Sequence, residues 1–145
     1  MKTFAARRGE KGFTLVELAI AVVIIGVLAA FGVPRYLASV ERARAAEAFT
    51  YLSTVSSAQE RYAARMSTYS KDTKSLDIQM DAPEFFKVGK VAVPKGSKSL
   101  ETGWEMTLTR SGKAAGYGAY TVTYNNTGYD TKKSTIPDEI NPRAK

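Results

Sequence analysis

The stretch "KGFTLVELAIAVVIIG" at positions 11–26 opens an apolar run that constrains this chain more than any other feature. Residues 18–33 carry no charged or strongly polar side chain. As a helix rising about 1.5 Å per residue, residues 13–33 span roughly 30 Å, the thickness of a bilayer core. Such a segment either crosses a membrane or packs against other helices like itself. One carboxylate, Glu17, sits four residues after Phe13. An acid is costly in a membrane helix, less so near its end, and a buried acid wants a cationic partner.

Three readings of the run compete. It is a cleaved secretory signal ending at the small residues Ala29 and Ala30, an uncleaved signal anchor, or a segment retained after a cut at Gly12. Glu17 separates them. A plain signal has no use for the acid. A chain beginning at Phe13 has a free amine close to Glu17, on the same or a neighbouring copy. The acid is then explained if the helix packs against copies of itself. Lys2, Arg7, Arg8 and Lys11 against Glu10 put +3 of the +7 net charge ahead of the run. That keeps the N-terminus cytoplasmic, although Arg35, Arg42 and Arg44 on the far side blur the rule.

Gly12-Phe13-Thr14-Leu15-Val16-Glu17-Leu18, continued by Gly26, Pro34 and Tyr36, resembles the processing site of type IV pilins and pseudopilins. The likeness is close over positions 9 to about 62 and specific, because glycine, phenylalanine, glutamate and proline fall at the family's spacing. It implies that a prepilin peptidase cuts between Gly12 and Phe13 and that Phe13 is N-methylated. It also implies that Glu17 neutralises the amine of a neighbouring subunit during assembly. Gly26 and Pro34 would bracket a stretch of helix that loosens in a filament. Gly and Pro are in any case weak points of a helix interior, and Gly32 adds a third.

Beyond Pro34 the pattern turns amphipathic. Leu37, Val40, Ala45, Ala48, Phe49, Leu52, Val55 and Tyr62 form one helical face. Arg42, Arg44, Glu47, Gln59 and Arg61 are assigned to the other faces, with Glu41 pairing Arg44. The whole helix, from about residue 13 to 65, would run roughly 80 Å. The polar 66–84 segment reads as a loop tied down by Tyr69, Leu76 and Ile78. Residues 85–93 read as a strand. Trp104, Met106 and Leu108 alternate with polar residues, as do Tyr120, Val122 and Tyr124, giving two half-buried strands. Another short strand is expected near Tyr129.

The expected architecture is α+β: a long N-terminal helix packed on an antiparallel sheet of three to four strands. Residues 1–12 are a cleaved basic leader and 13–34 the apolar assembly helix. Residues 35–145 are the headgroup, comprising amphipathic helix 35–65, loop 66–84, sheet 85–130 and a tail 131–145, expected to be loosely held after Thr135. The chain has no cysteine, so hydrogen bonds or packing must hold the C-terminal region that many pilins close with a disulfide.

No catalytic, cofactor or metal motif is found. With no histidine or cysteine, the usual zinc ligands and the commonest neutral-pH base are missing. Lys95-Gly96-Ser97 lacks the glycine spacing of a P-loop, and no spaced carboxylates resemble a calcium loop. Because secretion pseudopilins often carry a calcium site, that absence favours a pilus subunit. The expectation is a structural, non-enzymatic protein. It is a single-pass inner-membrane precursor that then enters an extracellular pilus or a periplasmic pseudopilus. Its partners would be its own copies, the peptidase, and the assembly platform and motor. A pseudopilin of a type II secretion system is the alternative within the family. An alternative of another class is a DNA-binding minor subunit, in which Tyr117, Tyr120, Tyr124 and Tyr129, with Lys87, Lys90, Lys113, Lys132 and Lys133 nearby, stack and pair with single-stranded DNA. Strand-forming tyrosines on half-buried faces are the plainer account of those aromatics. Asn125-Asn126-Thr127 fits a glycosylation sequon but suits a turn better.

Overall fold

The computed structural model describes residues 12–112 and 116–144. The expected leader, apart from Gly12, and Lys113 in the glycine-rich turn lie outside them. Two compact units are distinguished, Met1–Tyr36 and Leu37–Lys145.

Helix α1 runs from Leu15 to Met66 and contributes to both units. It passes through Gly26, Gly32 and Pro34 without interruption. In the first unit every described residue is exposed, including Phe13, Leu18, Ile24, Leu28 and Phe31. By length and composition this part of α1 can cross a membrane. The helix ends where Ser67 takes a left-handed φ of 58° and its N–H bonds the Ala63 carbonyl at 2.8 Å, a C-terminal closure more often given to glycine.

The second unit packs the later turns of α1 on a four-stranded antiparallel sheet of order β1-β2-β3-β4. The strands are β1 Phe86–Val88, β2 Glu105–Arg110, β3 Thr121–Asn125 and β4 Gly128–Tyr129. Ala45, Ala48, Leu52 and Val55 from the helix and Trp104, Met106, Leu108 and Val122 from the sheet are almost fully buried. Phe49 meets Tyr124 and Tyr129 edge-on, with ring centroids 6.1 and 4.9 Å apart. The period-2 alternation of β2 and the helical stripe therefore face each other as expected. Leu37 stays exposed.

Three expectations need correction. The 85–93 strand is broken. Phe86 to Val88 pairs with β2, and pairing resumes only at the Ala92–Glu105 bridge. Val88 lies opposite Leu108 but Ala92 opposite Glu105, so this side carries one extra residue, a bulge. Gly89 sits there, its N–H on the Thr107 carbonyl at 2.9 Å. A Cβ on Gly89 would lie 2.5 Å from that carbonyl oxygen, so the close backbone approach requires glycine.

Gln59 is not on an outer face but fully buried. Its Nε2 donates to the Ser70 carbonyl at 2.9 Å and its Oε1 accepts the Ser70 N–H at 2.8 Å. One side chain thus satisfies both backbone groups of a buried loop residue. Arg61 adds a two-point ion pair with Asp77.

The tail is not loosely held. After β4 the chain folds along β3: Asp130 N–H bonds Thr123 O and Thr135 N–H bonds Thr121 O. The Ser134 hydroxyl accepts the Thr123 N–H at 2.9 Å. Ile136 and Ile140 enter the core, and Asn141 is buried and donates to the Tyr129 hydroxyl. Arg143 lies over the Phe49 and Tyr124 rings. Fully burying an isoleucine contributes about 1.5–3 kcal/mol, so apolar anchoring does here what a disulfide does elsewhere.

Glu41 pairs with Arg44 at 3.3 Å as expected, and is completely buried.

Candidate functional site

At the start of α1, Thr14 is the residue before the first helical position and Glu17 the third position within. The Glu17 N–H donates to Thr14 Oγ1 at 3.2 Å, while Glu17 Oε2 accepts the Thr14 N–H at 2.8 Å. The Thr14 hydroxyl donates to the same oxygen at 2.8 Å. This is a capping box, in which two otherwise orphaned helix N–H groups are satisfied reciprocally. The T-x-x-E spacing was readable in the sequence, but the apolar surroundings direct attention to a partner on another copy. Oε1 makes no hydrogen bond among the described residues. Gly12 and Phe13 lie in non-helical chain just ahead, and Phe13 is 82% exposed.

Gly26 and Gly32 lie on α1 with nothing within 4 Å of where a Cβ would be. Neither is there because a neighbour within the chain demands a small residue. Pro34 removes one helix N–H donor. Together they leave an exposed apolar surface with small-residue notches, the sort on which helices approach one another closely in lipid.

Lys132 and Lys133 are exposed, and Tyr129 is half-buried. The Tyr129 ring lies against Phe49 and its hydroxyl on Asn141. Lys133 is ion-paired with Glu105. Tyr120 and Tyr124 are core residues, each 2% exposed, and cannot offer a ring face to a base. Asn125 Oδ1 accepts the Thr127 N–H and hydroxyl, and Asn125 Nδ2 donates to Asp130. The sequon is an Asx turn in this fold. Among the described residues no group of three or more acidic side chains is placed to hold a metal.

The second unit contains a polar cluster that sequence reasoning did not find. Glu41 Oε1 accepts from Arg110 Nε at 2.5 Å and from the Tyr120 hydroxyl at 2.8 Å. Glu41 Oε2 accepts from Arg110 Nη2 at 3.1 Å. Arg110 also donates to the carbonyls of Phe85 and Ser111. Burial alone would raise the Glu41 pKa, but hydrogen bonds from Arg110 and Tyr120, the Arg110 charge and Arg44 together hold it below its ordinary value. The hydrogen bond to Glu41 raises Arg110. Burial, then the carboxylate, raises the Tyr120 phenol. Nothing in the cluster is open to a substrate; it joins α1 to the β2–β3 hairpin.

Residues 7–33 match the family model described as the prokaryotic N-terminal methylation motif. The chain is 29% identical over 121 residues to the fimbrial protein EcpC of Eikenella corrodens, 83% of this chain and 77% of that protein. It is 58% identical over 38 residues to the type IV major fimbrial protein FimA of Dichelobacter nodosus, 26% of this chain and 24% of FimA. It is 54% identical over 41 residues to a fimbrial protein of Moraxella nonliquefaciens. These last two matches span about a quarter of the relatives' length. No solved structure matches the chain.

Proposed function

We propose that this chain, whose N-terminal methylation motif and fimbrial relatives support a type IV pilin family, is a structural subunit of a type IV pilus-like filament. The precursor is held in the inner membrane by the apolar part of α1. A prepilin peptidase cuts between Gly12 and Phe13, and the new N-terminus is methylated on Phe13. The subunit then moves from the membrane into an extracellular filament.

The observation that carries this reading is the placement of Glu17. Its Oε2 is fixed by the capping box, and its Oε1 is open at the head of a helix with no buried residue from Gly12 to Leu37. Cleavage turns the Phe13 amide into an amine, and the open oxygen of a neighbouring copy can accept its charge. In lipid the apolar side chains gain little by leaving the membrane, so helix packing and polar pairing supply the association. Motor and platform proteins supply the force, and the subunit itself has a structural role.

The test is the N-terminus of the mature protein, read by mass spectrometry on sheared surface material and on membranes. A chain starting at methylated Phe13 in the sheared fraction is expected. A start at Met1 or near Ala30 leaves Glu17 without an amine to meet and overturns the reading.

A further inference from the structure

We propose that a cleft between the 71–74 turn and the 88–91 segment binds the sulfate or phosphate ester groups of an anionic polysaccharide. The cleft is a cavity of about 520 Å³, within the range of small-ligand sites. Lys71, Lys74 and Lys90 line it, together with Asp72, Thr73 and Gly89. All three lysines are exposed, and none has an ion-pair partner among the described residues.

The one carboxylate in the lining is already engaged. Asp72 Oδ1 accepts the Lys74 N–H at 3.1 Å as the cap of the short 3-10 turn Thr73–Ser75. Asp77, the nearest acid after it in the chain, is held by Arg61. Three lysines thus line the cleft against a single carboxylate, and this excess of positive charge favours an anion from solution. The half-buried Thr73 hydroxyl adds a donor with no partner among the described residues.

The class of ligand follows from what lines the cleft. Ammonium groups on flexible stems bind as point charges, which suits tetrahedral oxyanions better than planar carboxylates. Three of them around this volume exceed what one oxyanion needs and fit successive ester groups along a chain. No aromatic residue is in the lining. Single-stranded nucleic acid, whose sequence-tolerant affinity leans on base stacking, therefore fits less well.

The experiment uses the full chain in detergent micelles with heparin as the probe, at low and moderate salt. The K71Q/K74Q/K90Q variant is compared with K95Q/K98Q/K132Q, which removes equal charge from exposed lysines elsewhere. The cleft variant is expected to bind at least about tenfold more weakly at low salt and to lose much of the salt dependence, while the control changes about twofold or less. Far-UV circular dichroism checks that both are folded, and K90Q alone gives a milder step in the same direction. Equal losses in the two triple variants, or no heparin binding by the unaltered chain, overturn the proposal. Tighter binding of a single-stranded oligonucleotide than of heparin overturns the polysaccharide assignment.

Discussion

Arg110 Nε donates to Glu41 Oε1 at 2.5 Å across 69 positions of sequence, with both side chains almost wholly buried. The pair fixes the end of β2 to one turn of α1. A buried ion pair of this kind adds little over a well-packed apolar pair, yet breaking it leaves one charge stranded.

Glu41→Ala is expected to destabilise the second unit by about 3–5 kcal/mol. The double variant E41M/R110M should recover most of that loss, because no uncompensated charge remains. Denaturant unfolding of the three proteins checks this. A double variant no more stable than E41A would overturn the expectation.

The same cluster gives a pH signature. The Glu41 carboxyl is held below its ordinary value of 4.5. Below that value the unfolded chain takes up the proton more readily, so stability falls as pH falls. Above it the contribution is complete. Tyr120 is raised above 10.0, so its contribution is present below pH 10 and is lost as pH rises further. Melting temperatures from pH 5 to 3 should drop more for the unaltered chain than for E41M/R110M. Tyr120→Phe should remove part of the alkaline loss.

The capping box allows the charge of Glu17 to be tested apart from its hydrogen bonding. Glu17→Gln keeps an acceptor for the Thr14 N–H but removes the charge. Thr14→Val removes the hydroxyl and keeps the charge. Filament yield, scored by shearing and immunoblotting, should collapse in E17Q and fall only in part in T14V. Normal filaments from E17Q would show that the helix cap, and not the charge, is what assembly needs.

Ile140 is fully buried in the tail. Ile140→Ala is expected to cost about 2–5 kcal/mol, and limited proteolysis should then cut beyond residue 130. An unchanged digestion pattern would mean that the Ser134 and Thr135 hydrogen bonds hold the tail by themselves.

Gly89→Ala should cost about 1–3 kcal/mol, as other overpacked sites do, because the new Cβ meets the Thr107 backbone and not a side chain that can swing aside. Faster hydrogen exchange at Phe86–Val88 than in β2 and β3 is the accompanying readout.

What the sequence determined by itself was local. The apolar half of α1 and the alternation in β2 and β3 depend on residues a few positions apart, where helix and strand geometry decide who meets whom. Tertiary structure decided what distant residues share. Glu41 meets Arg110 and Tyr120 from 69 and 79 positions away. A glutamate beside an arginine on an amphipathic helix otherwise reads as a solvated pair. Gln59 reads as surface until Ser70 folds over it. The proline-bearing tail reads as loose because its anchors, Ile136 and Ile140, are isolated apolar residues whose value appears only when a core is there to receive them.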